Sequence, residues 1–143
     1  MSFTIRPAEG RDAAAWLGLD RHLSEAGFLD KVRAGQALVI TEGETVAGVL
    51  RWNLFWDLVP FCTLLYIAAP YRGQGCGRRL MAHWEAAMGA KGYETVMTST
   101  QANENAQHFY RKLGYRDSGG FVPGPGEPLE LILIKEIGNR CCD

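Results

Sequence analysis

The sequence has almost no net charge and no long apolar run. Its 15 Lys and Arg residues against 16 Asp and Glu residues leave a formal charge of −1 over 143 residues. That balance gives no overall field to attract nucleic acid or an acidic membrane, so we expect neither as a partner. No stretch approaches the roughly 18 uninterrupted apolar residues of a membrane span, and the first residues lack the basic and apolar regions of a signal peptide. We therefore expect a cytoplasmic protein in which any anion site is local.

Cysteines are few, and their spacing matches neither a disulfide framework nor a metal site. They are Cys62, Cys76, Cys141 and Cys142, and the adjacent terminal pair suits neither a disulfide staple nor a zinc site. The number and spacing of the cysteines favour a reducing compartment and predict no metal-binding site. Cys76 allows two interpretations, a nucleophile whose pKa is lowered at a helix N-terminus or a small residue in a tight loop, and the second is favoured.

Length and composition are those of one ordinary globular domain, which we expect to span residues 1–143. Apolar residues make up 47% and charged residues 22% of the chain, enough for a sizeable core. The residue patterns predict a strand at 3–6, helices at 12–23 and 28–34, and a β-hairpin with strands at 37–41 and 45–56. A strand–loop–helix–strand–helix–strand series follows over residues 64–134. This mixed order predicts an α+β (mixed α/β) fold with one central sheet.

The stretch 64–80 is predicted to run from an apolar strand through a glycine-rich loop into an amphipathic helix. Gly73, Gly75 and Gly77 stand at alternate positions in the loop. Glycines let a backbone approach a ligand closely, and the first N–H groups of a helix lack intrahelical partners and point at an anion. No Lys-Ser/Thr follows, which excludes a Walker loop, and the spacing differs from the dinucleotide-binding G-x-G-x-x-G. The stretch is thus a phosphate loop or a tight turn.

A second motif lies one predicted strand further along the chain. It reads Asn103-x-x-Ala106-x-x-Phe109-Tyr110-x-x-x-Gly114-Tyr115 and follows Arg72-x-x-Gly75-x-Gly77. Together the two motifs resemble the GCN5-related N-acetyltransferase (GNAT) superfamily over most of the chain, as a bacterial-type member whose acceptor is unassigned. The resemblance implies a mostly antiparallel central sheet, splayed between its fourth and fifth strands and flanked by about four helices. It also implies acetyl transfer from acetyl-CoA to a primary amine by direct attack in a ternary complex.

The resemblance also implies which residues hold the coenzyme. The pyrophosphate would be bound by loop residues, namely Arg72, Gly73, Gln74, Gly75, Cys76, Gly77 and Arg78. The pantetheine arm would pair with the fourth-strand backbone at Ile67 and Ala68 and contact the side chain of Asn103. Asn103 has a second interpretation, as the N-cap of its helix. Arg78 and Arg79 are either solvated cations or partners of the coenzyme's phosphates.

Tyr110 matches the tyrosine that such enzymes place beside the coenzyme sulfur. A neutral amine attacks the thioester, charge gathers on the carbonyl oxygen, and a thiolate departs that the phenol can protonate. A tyrosine pKa near 10 lies roughly 1.5 units above that of a thiol, so the transfer is uphill by about 2 kcal/mol. The alternative role for Tyr110 is packing of a helix on the sheet.

The general base is not apparent from the sequence. Many relatives carry a glutamate on the fourth strand, yet no Asp or Glu occurs here between Asp57 and Glu85. Asp57 is the nearest carboxylate upstream, although an aspartate in a turn has a simpler structural explanation. Glu104, His108 or a chain of ordered waters are further candidates. A non-catalytic acyl-CoA-binding or regulatory module is therefore the alternative function.

The acceptor site is predicted from aromatic residues that have a second explanation in sheet packing. They are Trp52, Phe55, Trp56 and Tyr66, and the Pro/Gly-rich loop 119–126 is expected beside them. An apolar wall with one or two carboxylates would suit a small amine, a peptide N-terminus or a lysine. The last predicted strand, 129–134, is either an interior strand or the edge of a homodimer.

Overall fold

The computed structural model describes residues 2–138, so Cys141 and Cys142 lie outside the described residues. Within that range the chain forms seven strands and four α-helices. They are β1 (Phe3–Pro7), α1 (Ala13–Leu19), α2 (Glu25–Ala34), β2 (Ala37–Glu42), β3 (Thr45–Phe55), β4 (Val59–Ile67), α3 (Cys76–Ala90), β5 (Thr95–Gln101), α4 (Ala106–Lys112), β6 (Arg116–Phe121) and β7 (Glu130–Glu136). None of the helices within 2–138 is long and apolar enough to cross a membrane.

The strands are hydrogen-bonded in the order β1-β2-β3-β4-β5-β7-β6. The pairs β1–β2, β2–β3, β5–β7 and β6–β7 are antiparallel. Strands β4 and β5 are parallel, and Phe61 pairs with Met97 while Cys62 pairs with Thr98. A mixed α+β fold with a mostly antiparallel sheet, as the sequence predicts, is thereby confirmed. The described chain divides into two compact units, residues 2–53 with 63–84 and residues 54–62 with 85–138.

The first unit has an apolar core beneath helices α1 and α2. Trp16 and Phe28 are fully buried, and their ring centroids lie 5.0 Å apart. Helix α2 is capped by Ser24, whose side chain accepts from the Gly27 amide, and ends at Gly35 with a left-handed φ of 70°. Helix α1 ends at Leu19, because Asp20 takes an extended conformation. The predicted continuation of this helix to residue 23 is therefore wrong.

A buried ion pair joins the end of α1 to strand β3. The Asp20 carboxylate is fully buried, and the Arg51 guanidinium donates to it at 2.8 Å. The Trp16 indole and the His22 amide also donate to this carboxylate, at 3.0 and 3.1 Å. Burial by itself would raise the pKa of Asp20, but the hydrogen bonds that the carboxylate accepts hold the pKa below its ordinary value.

Strand β3 approaches the end of β4 closely at Gly48. A Cβ atom at this position would lie 2.5 Å from Ile67 Cδ1 and 3.1 Å from the Tyr66 carbonyl oxygen. One residue away, the Ala68 amide donates to the Ala47 carbonyl at 2.8 Å. A side chain at position 48 would therefore need the end of the Ile67 side chain to move and the β4 backbone to shift by a few tenths of an ångström, so glycine fits this close approach best.

The second unit contains a partly buried polar cluster built on the Glu85 carboxylate in the C-terminal half of α3. The Tyr115 hydroxyl donates to Oε2 of Glu85 at 2.7 Å, and the Lys135 ammonium donates to Oε1 at 2.8 Å. Burial and the adjacent carboxylate raise the pKa of Tyr115, so its phenol stays protonated. The cluster therefore ties α3, the residue before β6, and β7 to one charged group.

We expect Asp20→Asn to lower the free energy of unfolding at about pH 7 by roughly 2–3 kcal/mol, because it weakens bonds to a buried charge and leaves Arg51 without its counter-charge. The pKa of Asp20 is lower in the folded chain than its ordinary value of about 3.9. The stability that this difference contributes is present above the unfolded-state pKa and is lost as the pH falls through the folded-state pKa.

Urea unfolding at about pH 7 and about pH 3.5 measures this effect, and the difference between wild type and variant should shrink at the lower pH. Asp30→Asn is the matched control, since Asp30 is exposed on α2 and pairs only with Arg33 among the described residues. A loss for Asp20→Asn that does not depend on pH would contradict the assignment.

Candidate functional site

The loop between β4 and α3 has the backbone geometry of an anion site. A single 3-10 turn, Ala69–Tyr71, follows β4, and α3 begins at Cys76. Gly73 and Gly75 have φ of 78° and 84°, which residues other than glycine rarely adopt. The Arg79 amide donates to the Gly75 carbonyl at 3.0 Å, which makes Gly75 the residue before the helix. The N–H groups of residues 75–78 therefore have no intrahelical carbonyl to bond.

Three exposed arginines surround this helix end, whose first turn holds no acidic residue. Arg78 extends back over the loop, with one guanidinium nitrogen 3.7 Å from where a Cβ of Gly75 would lie. Arg79 points away, because its guanidinium donates to the Phe3 carbonyl at 3.2 Å and lies over the Phe3 ring. The unpaired amides, the positive end of the helix dipole and the guanidinium groups of Arg72 and Arg78 together suit an anion.

The end of β4 already has internal hydrogen bonds at the positions where the coenzyme arm is expected to pair. Nε of Arg72 donates to the Ile67 carbonyl at 2.9 Å, and its guanidinium lies 5.1 Å from the centroid of the Tyr66 ring. The Ala68 amide donates to the Ala47 carbonyl. A ligand amide would therefore have to replace Arg72 at the Ile67 carbonyl, and the Ala68 amide is committed to strand β3.

Cys76 is buried, with 2% of its surface exposed, as the first residue of α3. Burial raises the pKa of its thiol and outweighs the opposing effect of Arg79. The raised pKa keeps the thiol protonated, which does not favour a nucleophile, and the role of Cys76 as a small residue stays a prediction. The preceding turn is held by Tyr71, whose hydroxyl donates to the Glu42 carboxylate at 3.1 Å.

In the second unit, the Tyr110 side chain packs from helix α4 with 6% of its surface exposed. Its ring centroid lies 5.1 Å from that of Phe109 and 5.7 Å from that of Tyr115. Burial raises the pKa of Tyr110 well above its ordinary value, Cys62 adds to the increase, and a hydrogen bond with the Thr98 hydroxyl opposes it. The phenol is therefore protonated near neutral pH and holds one proton at its oxygen.

Thr98 determines where the Tyr110 proton points. Thr98 is 1% exposed, and its hydroxyl donates to the Cys62 carbonyl at 3.0 Å. A hydroxyl has only one proton to donate, so while the phenol is protonated Thr98 accepts from Tyr110, and Thr98 lowers the pKa of Tyr110 only by turning to donate to the phenolate. Sequence reasoning missed Thr98, since nothing local to strand β5 indicates that this residue contacts α4.

Of the two roles predicted for Asn103, the structure contradicts one. Helix α4 begins at Ala106 with Asn105 as its N-cap, so the interpretation of Asn103 as the N-cap is wrong. Asn103 is exposed in the preceding turn, and its contact with the coenzyme stays a prediction. Glu104 and His108 are exposed, and the Glu104 carboxylate accepts a long 3.5 Å bond from Thr100.

The presence of Asp57 is explained by its position in the turn between β3 and β4. Trp56 and Asp57 have φ of 60° and 55°, and the Leu58 amide donates to the Phe55 carbonyl at 3.0 Å. Two positive φ values inside one hydrogen-bonded turn are those of a type I′ hairpin. The predicted strand 45–56 therefore ends at Phe55, and Asp57 is exposed as a turn residue.

The aromatic residues predicted at the acceptor site have different surroundings. Trp52 is 6% exposed, and its ring centroid lies 6.4 Å from that of Trp84, so packing in the core explains it. Trp56 is 83% exposed at the hairpin tip, and Phe55 packs edge-on against Phe61 with centroids 6.3 Å apart. Tyr66 is 39% exposed beneath Arg72.

Comparison with known proteins gives one family and many similar folds. The family model described as an acetyltransferase (GNAT) domain matches residues 33–117. The structure of Ard1 from Thermoplasma volcanium aligns with a TM-score of 0.88 at 16% identity, over 97% of this chain and 100% of that one. The ribosomal-protein-S18-alanine N-acetyltransferase from Escherichia coli aligns with a TM-score of 0.80 at 20% identity, over 96% of each chain.

A third similar structure contains the coenzyme. PaiA N-acetyltransferase from Thermoplasma acidophilum, in complex with coenzyme A, aligns with a TM-score of 0.80 at 16% identity, over 95% of this chain and 99% of that one. At these identities the structural likeness concerns the fold alone. No curated protein sequence matches the chain.

We expect Gly75→Glu to abolish binding of coenzyme A measured by titration calorimetry. The new side chain would need a left-handed φ and would place a negative charge among the unpaired amides. Gly92→Glu is the matched control, because Gly92 also has a positive φ, of 97°, with open space around it, just beyond the C-terminal end of the same helix. Unchanged affinity in Gly75→Glu would contradict the assignment of this loop to phosphate.

Proposed function

The chain belongs to the acetyltransferase (GNAT) family, and on that basis we propose that it transfers the acetyl group of acetyl-CoA to a primary amine of a small molecule or peptide. The observation that carries the proposal is the β4–α3 loop. There the N–H groups of residues 75–78 at the N-terminus of α3 have no intrahelical partner, and Arg72 and Arg78 lie beside them. We further propose that both compact units belong to one acetyltransferase domain acting in the cytoplasm. A homodimer stays a prediction.

The loop residues fit the pyrophosphate of acetyl-CoA. The N–H groups of residues 75–78 supply donors, Arg72 and Arg78 supply positive charge, and Gly73 has open space around it. We assign residues 72–78 to the pyrophosphate and the Ile67 carbonyl to the pantetheine arm. When bound, acetyl-CoA supplies a thioester whose carbonyl carbon is open to attack by an amine.

Tyr110 acts in this proposal as the proton donor to the departing sulfur. Its raised pKa keeps the proton on the phenol but makes the transfer costlier than for an ordinary tyrosine. Thr98 reduces that cost. Its hydroxyl can turn from the Cys62 carbonyl and donate to the phenolate that forms, because both acceptors are within its reach.

A non-catalytic acyl-CoA-binding module is the second candidate function. It is favoured by strand β4, whose residues Val59–Ile67 include no carboxylate. A panel of amines separates the two candidates when release of coenzyme A from acetyl-CoA is measured. We expect turnover with at least one amine, whereas coenzyme binding without turnover on any amine would support the module.

We expect Tyr110→Phe to lower kcat by about 100-fold, the low end of the effect of a general acid. The KM for acetyl-CoA should stay within about twofold, since in the proposal the phenol acts on the leaving sulfur and not on the phosphates. Steady-state kinetics at saturating amine measures both constants, with Tyr93→Phe as a control outside α4. Wild-type turnover in Tyr110→Phe would mean that water supplies the proton.

Thr98 provides the internal check on this assignment. Thr98→Val removes the hydroxyl and should lower kcat, while Thr98→Ser keeps the hydroxyl and should restore most of it. An equal loss in both variants would mean that Thr98 acts only through packing.

A further inference from the structure

We propose that Glu130 on strand β7 binds the amino group of the acceptor, and that the preferred acceptor carries an apolar group beside its amine. The proposal rests on the proposed acetyltransferase function and adds to it the chemical class of the acceptor. It also supplies a carboxylate that the sequence did not reveal, since strand β4 carries none.

Glu130 is held in place by strand β5. The Ser99 hydroxyl donates to Oε2 of Glu130 at 2.8 Å. Glu130 pairs with Gln101 on one side and with Phe121 on the other. Residues directly opposite each other in a sheet share a face, and so do residues two apart in one strand. The side chains of Ser99, Gln101, Glu130 and Phe121 therefore occupy one face of the second unit.

The charge of Glu130 is uncompensated within residues 2–138. Three other carboxylates of this unit each have a cation within 4 Å, in the pairs Glu85–Lys135, Asp117–Arg111 and Glu136–Arg116, and the carboxylates of Asp57, Glu104 and Glu127, which have none among the described residues, are exposed to water. Glu130 is half-buried, and among the described residues its hydrogen-bond partner is the neutral Ser99 hydroxyl. A half-buried carboxylate without a cation is a favourable partner for an ammonium group.

Beyond its polar neighbours Ser99 and Gln101, the face around Glu130 carries apolar side chains. Ile132 pairs with Ser99, and Met97, two residues before Ser99, pairs with Phe61. Phe121 is 48% exposed opposite Glu130. A single negative charge with Phe121 on one side and aliphatic side chains further along the face favours an amine attached to an apolar group over one attached to a polar chain.

Strand β5 lies between the proposed proton donor, Tyr110, and the proposed proton acceptor, Glu130. Thr98 bonds with Tyr110 on one face, and Ser99 bonds with Glu130 on the opposite face, because successive strand residues alternate. The ammonium group bound at Glu130 first gives one proton to the carboxylate, which releases it to solvent, so that a neutral amine attacks. As the nitrogen–carbon bond forms and the carbon–sulfur bond breaks, the nitrogen passes a second proton to Glu130 and the sulfur takes the proton of Tyr110. Solvent then removes the proton from Glu130 and returns one to Tyr110.

The test compares Glu130→Gln with Glu136→Gln, a control on the same strand whose carboxylate is exposed. The probes are 2-phenylethylamine, an apolar primary amine, and ethanolamine, a polar one. Two readouts are taken, calorimetric binding of each amine to the coenzyme-free protein and steady-state release of coenzyme A. Glu130→Gln should weaken binding of 2-phenylethylamine and lower its kcat/KM by at least about tenfold. The KM for acetyl-CoA and the behaviour of Glu136→Gln should match the wild type.

The outcomes distinguish this inference from the proposed function. Wild-type protein that binds coenzyme A but turns over no amine in any panel would overturn the function, and Glu130 with it. If the wild type turns over an amine but Glu130→Gln and Glu136→Gln change kcat/KM equally, the role of Glu130 is overturned and the proposed function is not. A preference for ethanolamine would overturn the apolar class of acceptor, while a preference for 2-phenylethylamine that is lost in Glu130→Gln would support the whole proposal.

Discussion

The alternation of side chains along strand β5 is the constraint on which the proposed chemistry depends. Thr98 and Ser99 are neighbours in the chain, so their side chains point to opposite faces of the sheet. One face holds the Tyr110 phenol through Thr98, and the other holds the Glu130 carboxylate through Ser99. The proton donor and the carboxylate thus lie on opposite faces of one strand. A one-residue shift in the register of β5 would exchange the two faces and remove both contacts.

Partly buried charged groups around these elements give the arrangement its rigidity. In the second unit the Glu85 carboxylate accepts from Tyr115 and from Lys135, and the Tyr115 ring packs against that of Tyr110. A buried charge with satisfied hydrogen bonds penalises any conformation that breaks them, because the desolvation cost is then uncompensated. The position of Tyr110 is therefore tied to α3 and β7, although neither element contributes a reacting group in the proposed acid step.

The parts of the fold that depend on local patterns could be predicted from the sequence, and the parts that depend on strand register could not. Gly73 and Gly75 predict a loop with positive φ angles before a helix, because few other residues adopt positive φ. The run of polar residues before α4 does not specify where the helix begins, so the sequence allowed Asn103 as the N-cap, whereas the N-cap is Asn105, two residues later. The bond between Ser99 and Glu130 joins residues 31 positions apart. It exists only because β5 and β7 pair in one particular register, which no local signal specifies.

The close approach at Gly48 limits how this sequence can vary during evolution. A side chain at position 48 would meet both the end of the Ile67 side chain and the backbone oxygen of Tyr66. A shorter residue at position 67 would relieve the first contact but not the second, because a backbone carbonyl in a strand cannot move aside alone. A substitution at position 48 therefore displaces the β4 backbone slightly, and because that same stretch of β4 leads into the glycine loop, the displacement is passed toward the proposed phosphate site.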